Sequence, residues 1–189
     1  MVTDAPPRKN VNHKVFLDSD RMQTLSLPVD NRLVMIAGDI EIAMNADAPG
    51  LVRLACDEFL KVACGYYRVP KCTVRVLTAR PLRVREYSTI ELFGDYHADT
   101  KAIRVWMRTA IRKQVTSFGT FLSTLCHEFC HHLDFHRFGN SWHTRGFYQR
   151  TALLYHHAKG TPVKELVWIP MARGRWRIDW QRTNRTRPG

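Results

Sequence analysis

A long apolar stretch with helical spacing, near the middle of the chain, is the feature that most constrains the fold. Its apolar side chains recur at steps of three and four residues and so share one face of a helix: Phe118, Leu122, Leu125, Phe129 and Leu133. Thr116 and Ser117 are N-cap candidates, and Gly139 followed by Asn140 forms a C-terminal stop. The sequence therefore predicts a helix over about 118–138, buried along one face.

The second half of this helix carries an HExxH pattern, formed by His127, Glu128 and His131. Two histidines four residues apart project from one helix face about a turn apart, so both imidazoles can reach one metal ion. Glu128 lies beside that face, where a carboxylate can take a proton from a metal-activated water. The pattern predicts a hydrolytic zinc site with Glu128 as general base. The alternative is a pair of surface histidines on an amphipathic helix.

A catalytic zinc ion of this type needs a third protein ligand and an open fourth position. After Gly139 a short loop leads into a second helical pattern that runs to about Ala158, and His143 stands at its start, able to fold back over the first helix. We predict His143 as the third ligand. Asp134 and His136 are poorer candidates, because each projects farther along the same helix rather than from across a cleft.

The pattern around these residues resembles that of the SprT-like zincin metalloproteases, over about residues 117–155. This family includes the bacterial SprT proteins and the Spartan-type proteases that degrade proteins crosslinked to DNA. The resemblance implies zinc (Zn²⁺) as the cofactor, His127, His131 and His143 as its ligands, and Glu128 as the catalytic residue. It also implies Phe147 as a packing residue of the third-ligand helix.

The chain departs from related patterns at several positions. Where the family often has glycine, directly after the third histidine, this chain has Thr144, and glycine follows at Gly146. No cysteine follows Cys130 in this sequence, so we do not expect the four-cysteine zinc ribbon that many members carry. The metzincin pattern HExxHxxGxxH is not continued either, since its glycine and third histidine positions hold Asp134 and Arg137.

An oxyanion donor and a partner for the imidazoles are also expected at such a site. The sequence offers several donors on the second helix and does not choose among them: Tyr148, Tyr155, His156 and His157. Asp134 is the one candidate for fixing an imidazole tautomer. His97 is interpreted as a structural residue.

The upstream chain predicts an α+β fold, a small sheet packed against the HExxH helix and the third-ligand helix that follows it. Residues 51–67 have helical spacing with Leu54, Cys56, Phe59, Leu60 and Ala63 available to a core. Strands are expected at 73–77, 87–93 and 102–106, with a turn at 98–101 between the last two. The strand around Ile103 to Trp106 is either the cleft edge that pairs with substrate or ordinary sheet. Within 22–48, residues 33–37 form a weak strand candidate.

Length and composition suit one globular domain. We expect a flexible segment at residues 1–12, a single SprT-like zincin domain at 13–170, and a basic tail rich in arginine and tryptophan at 171–189. No signal peptide and no membrane-spanning run is recognised. These features predict a cytoplasmic protein, with association with the nucleoid as a variant of that location.

The five cysteines form no regular framework, which is typical of a reducing compartment. Cys56, Cys64 and Cys72 are spaced too widely for a metal knuckle and are interpreted as core residues. Cys126 and Cys130 flank the HExxH pattern. A thiolate ligand in place of His131 is an alternative that the histidine geometry makes unnecessary.

Charge points to a second property, because 29 Lys and Arg against 17 Asp and Glu give a net charge of +12. Residues 171–189 hold six arginines and one acid, interleaved with tryptophans. Arginine neutralises phosphates and aromatic rings stack on unpaired bases. The candidates for contact with DNA or RNA are Arg173, Arg175, Trp176 and Arg177. The alternative is a solvated basic tail.

Three functions from different classes follow. The first is a zinc endopeptidase that acts on a protein or peptide substrate, including proteins associated with nucleic acid. The second is a basic nucleic-acid-binding protein whose zinc is structural. The third is a zinc hydrolase with a non-protein substrate, since the same chemistry cleaves other bonds. The sequence predicts no oligomeric state.

Overall fold

A computed structural model describes residues 1–8, 11–85 and 88–185 of the chain. The described elements follow one another as α1 (Val11–Arg21), α2 (Arg32–Asn45), α3 (Pro49–Tyr67), β1 (Thr73–Ala79), β2 (Leu82–Arg85), β3 (Ser88–Glu91), β4 (Gly94–His97), β5 (Ala102–Arg108), α4 (Phe118–Phe138), α5 (Arg145–Lys159), β6 (Trp168–Pro170), β7 (Trp176–Ile178) and α6 (Trp180–Arg185). Helices combined with a small sheet confirm the α+β class.

The chain forms two compact units. One unit consists of Pro28–His132, and the other of Met1–Leu27 with Leu133–Gly189. Helix α4 is continuous across the boundary. No helix in the described ranges is both long and apolar enough to span a bilayer. The expected division of the chain at residues 12 and 170 stays a prediction.

The Pro28–His132 unit contains a three-stranded mixed sheet in the order β1-β5-β4. β1 runs parallel to β5, with Val74 opposite Ile103, and β4 runs antiparallel to β5, with Gly94 opposite Val105. The suggestion that the segment from Ile103 to Trp106 edges a cleft is therefore wrong. β5 has its hydrogen-bonding edges paired on both sides, whereas β4 lies at an edge of the described sheet.

The strand expected at 87–93 is corrected in two ways. Residues 86 and 87 lie outside the described residues, and Ser88–Glu91 pairs with β2 in a separate hairpin. The strand that precedes the turn is β4, which the sequence analysis missed. The turn itself is confirmed at 98–101, where the amide of Lys101 donates to the carbonyl of Ala98 at 3.4 Å.

Residues 33–37 belong to α2 and not to a strand, which corrects the weak strand candidate. The buried residues of α2 recur at helical steps: Leu33, Ala37, Ile40, Ala43 and Met44. That spacing places them on one face against α3. The apolar run at 33–37 is short, and only its continuation to Met44 distinguishes a helix from a strand.

The predicted helix at 51–67 is confirmed as α3, which begins two residues earlier with Pro49 in its first turn. Cys56, Phe59, Leu60 and Ala63 are buried as expected. Leu54 is not a core residue, because 55% of its surface is exposed. It lies on the solvent side of the helix, between the buried positions Val52 and Cys56.

Local signals define both ends of α4 as predicted. The Ser117 hydroxyl accepts a hydrogen bond from the amide of Thr120 at 3.3 Å, which caps the first turn. At the other end Gly139 adopts a left-handed φ of +72°, and its amide donates to Phe135 at 3.0 Å. Leu122, Leu125 and Phe129 are fully buried along the predicted face.

In the other unit, α1 packs against α5, and β6 pairs with β7 in an antiparallel hairpin. Val2 pairs with Arg177 through an isolated bridge, and the amide of Thr3 donates to Trp176 at 2.8 Å. Both terminal segments were expected to be weakly anchored. These main-chain hydrogen bonds join positions more than 170 residues apart, which local sequence patterns do not register.

Candidate metal centre

His127 and His131 project from one face of α4 with their nitrogen atoms close together. Their Nε2 atoms lie 3.2 Å apart and the ring centroids 4.9 Å apart, with the ring planes at 80°. Two nitrogen ligands of one tetrahedral zinc ion, each about 2.0–2.1 Å from it, would be about 3.3 Å apart. The pair therefore fits a shared zinc ion. Both side chains are half-buried, so a ligand can reach them from solvent.

His143 immediately precedes α5, at the position predicted for a third ligand. Its amide donates to the Asp4 carboxylate at 2.8 Å, and its Nδ1 lies 3.4 Å from the same oxygen. Its ring meets Phe147 edge to face and stacks on Tyr148, with centroids 5.3 and 5.7 Å apart. These contacts fix the ring of His143 beside the start of α5, and its role as the third ligand stays a prediction.

Thr144, which occupies the place where glycine was expected, caps the helix that follows His143. Its hydroxyl accepts the amide hydrogen of Phe147 at 3.0 Å and lies 3.0 Å from the hydroxyl of Ser19. The side chain is fully buried. The threonine therefore fixes the start of α5 directly beside His143 by an ordinary capping interaction.

Glu128 is buried in the Pro28–His132 unit, with 6% of its surface exposed. Burial raises the pKa of its carboxyl to about 8, and the negative charge of Asp95 adds to the increase. A β-carbon at Gly94 would lie 2.9 Å from Cγ and 3.0 Å from Oε1 of Glu128. Only glycine lets strand β4 come this close. The carboxylate consequently lies directly beside the edge strand of the sheet.

The two tyrosines predicted as oxyanion donors have other partners. The Tyr148 hydroxyl donates to the carbonyl of Val2 at 3.2 Å, and it is the Tyr148 ring that contacts His143. The Tyr155 hydroxyl accepts a hydrogen bond from Lys159 at 3.0 Å. Their role as donors stays a prediction. His97, predicted as structural, ends β4 with its Nε2 3.4 Å from Asp95.

Asp134 has a structural partner, which corrects its nomination as the residue that fixes an imidazole tautomer. Both of its oxygens accept hydrogen bonds from Nη2 of Arg150 at 2.8 Å, and Ser19 donates at 3.3 Å. The Asp134 and Arg150 side chains are almost fully buried. Burial raises the pKa of the Asp134 carboxyl, although the charge of Arg150 opposes that increase. Two residues were alternatives to His143 as the third ligand. Asp134 is paired with Arg150, and His136 is exposed on α4.

A second group that can hold a metal ion combines Cys64, Cys72 and His132. The sequence did not predict it, because Cys64 and Cys72 are spaced too widely for a metal knuckle and were interpreted as core residues, and His132 was not a candidate ligand. The two sulfur atoms lie 3.7 Å apart. No disulfide is formed in the described residues, which include all five cysteines. A local spacing rule cannot find a group whose members lie on two helices and in the loop between α3 and β1.

The basic residues predicted to contact nucleic acid lie on and beside the β6–β7 hairpin. Arg173, Arg175 and Arg177 are exposed, and Trp176 is half-buried. The guanidinium of Arg145 lies 4.4 Å from the centre of the Trp176 ring. One face of that ring is therefore covered, and the exposed arginines are the groups that remain available to phosphates.

No protein-family model matches the chain, and neither a curated protein nor a solved structure is significantly similar to it.

Proposed function

We propose that the protein is a zinc-dependent endopeptidase of the SprT-like zincin type, with His127, His131 and His143 as zinc ligands. The observation that carries the proposal is the pair of imidazole nitrogens of His127 and His131, which lie 3.2 Å apart on one face of α4. Three neutral nitrogen ligands are typical of catalytic zinc sites, which keep a fourth position open. The buried carboxylate of Glu128, on the same helix, supplies the base that such a site needs.

The ion and the protein would contribute different parts of the hydrolysis. A zinc ion at this position would activate a water molecule and polarise the carbonyl of the scissile bond. Glu128 would accept the proton of the attacking water and deliver it to the leaving amine. Its pKa of about 8 is close to neutral pH, where a carboxyl group can both accept and release a proton, and a cation bound close by would lower that pKa.

The edge strand indicates the class of substrate. β4 is an edge of the described sheet, and its Gly94 lies against Glu128. The outer edge of such a strand presents backbone donors and acceptors that an extended polypeptide can pair with. Pairing of this kind recognises the main chain and not particular side chains. We therefore propose extended or unfolded segments of proteins as substrates, with broad sequence preference.

Substitution of Glu128 separates chemistry from metal binding. Glu128→Gln should retain zinc and lower kcat/KM on an unfolded polypeptide by about 10²–10⁴-fold, the usual contribution of a general base. His143→Ala should lose zinc from the histidine group, whereas His136→Ala, at an exposed position on α4, should change neither zinc content nor activity. A fully active Glu128→Gln protein would disprove the assignment.

Contact with nucleic acid is a second proposal, and it rests on the exposed arginines of the hairpin. Arg173, Arg175 and Arg177 all face solvent. Each phosphate contact that is lost should reduce the dependence of binding on salt, with a slope change of about 0.7–0.9 in logarithmic units. Affinity for single-stranded DNA, measured at several salt concentrations for the triple alanine variant, tests the proposal. An unchanged slope would show that the hairpin does not bind phosphates.

A further inference from the structure

The Pro28–His132 unit brings together two cysteines and a histidine that are not among the proposed ligands of the catalytic ion. Cys64 lies in the last turns of α3, Cys72 lies directly before β1, and His132 lies on α4. Cys64 and His132 are buried, and Cys72 is half-buried. One ligand atom from each lies within 4.8 Å of the other two. We propose that these three residues bind a second zinc ion, which has a structural role and does not take part in hydrolysis.

The distance between the sulfur atoms fits a shared metal ion. The Sγ atoms of Cys64 and Cys72 are 3.7 Å apart. A disulfide would require about 2.05 Å. Two thiolates bound to one tetrahedral zinc ion, each about 2.3 Å from it, lie about 3.8 Å apart. The two side chains are thus already spaced as ligands of one ion.

The hydrogen bonds of His132 fix which ring nitrogen carries the lone pair. Its Nε2 lies 2.8 Å from the carbonyl oxygen of Pro70. A carbonyl oxygen only accepts, so Nε2 carries the hydrogen and Nδ1 carries the lone pair. A backbone carbonyl that fixes the tautomer in this way is the usual partner of a metal-binding histidine. Pro70 lies two residues before Cys72, so the same loop supplies a ligand and orients the imidazole.

The donor types select the metal. Thiolates combined with an imidazole favour zinc over magnesium or calcium, which prefer oxygen ligands. Two cysteines, one histidine and a further donor form a common zinc coordination set. The hydroxyl of Tyr96 donates to Nδ1 of His132 at 2.9 Å. An ion bound to Nδ1 would replace that hydrogen bond, and the Tyr96 oxygen is then the nearby donor for the fourth position.

An ion at this position would connect three elements of the Pro28–His132 unit. It would join the end of α3 to the start of β1 and to the turn of α4 that carries His131. Tyr96 also belongs to β4, the strand whose Gly94 lies against Glu128. The second ion would therefore stabilise the strand and the helix beside Glu128, the proposed general base. This inference does not depend on hydrolytic activity, and it holds if the proposed function is wrong.

Cobalt substitution distinguishes the two sites, because thiolate ligands give Co²⁺ a charge-transfer band in the near ultraviolet and imidazoles alone do not. We expect the full chain, purified under reducing conditions, to contain two zinc ions and its cobalt form to show the thiolate band. Cys64→Ser and Cys72→Ser should each lose the band and one equivalent of metal. Cys56→Ala, which removes a buried cysteine outside the group, should retain both.

His143→Ala makes the two proposals separable. This variant should lose one equivalent of metal and keep the thiolate band, since His143 is a proposed ligand of the other ion. If the serine variants do not fold, the wild type and His143→Ala still provide the test, because both retain all the cysteines. A cobalt form of the wild type without a thiolate band would overturn the inference. A disulfide between Cys64 and Cys72 in the freshly purified protein, found by mass spectrometry of unreduced peptides, would overturn it as well.

Discussion

Replacement of Gly146 with alanine tests the close approach of α5 to α1. A β-carbon at Gly146 would lie 2.1 Å from the carbonyl oxygen of Ser19, 2.6 Å from that of Met22 and 2.9 Å from that of Asp20. Carbon and oxygen atoms in close contact are ordinarily about 3.3 Å apart or more. All three oxygens belong to the main chain, which cannot rotate away as a side chain can. The two helices must therefore separate by roughly 1 Å.

The cost of that separation has two parts. Overpacking of a tight contact costs about 1–3 kcal/mol. The guanidinium of Arg150 donates to the carbonyl oxygen of Ser19 at 3.0 Å and also to that of Met22, and these bonds weaken as α1 moves. A hydrogen bond from a charged group contributes about 1.5–3 kcal/mol. We expect a loss of about 3 kcal/mol in the free energy of unfolding, which lowers Tm by about 6–12 °C in a chain of this length.

Gly38 provides the matched control, because it is also a helical glycine. A β-carbon there would meet no atom within 4 Å. Gly38→Ala should therefore raise the free energy of unfolding by about 0.5–1 kcal/mol, through the higher helix propensity of alanine. Thermal unfolding of both variants and the wild type, followed by circular dichroism, measures the two effects. If Gly146→Ala were as stable as Gly38→Ala, the close approach would be refuted.

Three further changes test other parts of the structure. Asp134→Asn removes the negative charge opposite the buried guanidinium of Arg150 and should cost about 3–5 kcal/mol with zinc retained, whereas Asp57→Asn, in an exposed i,i+4 pair, should cost under about 0.5 kcal/mol. Equal urea midpoints would contradict the difference. Gly94→Ala displaces Glu128 and should lower kcat about 10–100-fold at unchanged zinc content, and full activity would exclude that contact. Burial and two neighbouring lysine charges lower the pKa of His156 from 6.5, so the unfolded chain binds the proton more readily than the folded chain. The free energy of unfolding should therefore fall as the pH drops below 6.5. Urea unfolding of His156→Gln between about pH 5 and 8 should show a smaller decrease than the wild type.

The helix that carries the HExxH pattern could be predicted closely because its signals are local. The cap at Ser117, the apolar steps from Leu122 to Phe129 and the left-handed glycine at Gly139 each involve residues within one or two turns. The position of His143 before α5 was predicted for the same reason, since a helix start after a short loop is visible in the sequence. Its role as a ligand beside the other two histidines is a prediction that the helix start alone does not make.

The order of the strands could not be predicted in this way. β4 is four residues long and has no strong apolar alternation, so its existence depends on its pairing with β5. β5 was the candidate for the edge by its order in the chain alone, whereas β1 and β4 pair with it on either side. Strand neighbours are selected by contacts across the sheet, and a single strand carries little information about them.

Sequence alone determined which helix bears the paired histidines and the carboxylate, because two residues four positions apart lie on the same face of a helix. Only the tertiary structure decided that Asp134 pairs with Arg150, that Gly94 brings the edge strand to Glu128, and that Cys64, Cys72 and His132 meet. The physical reason is the same in each case. These contacts join residues between 8 and 68 positions apart in the chain, and the free energy that selects them comes from the burial and pairing of whole elements rather than from any local pattern.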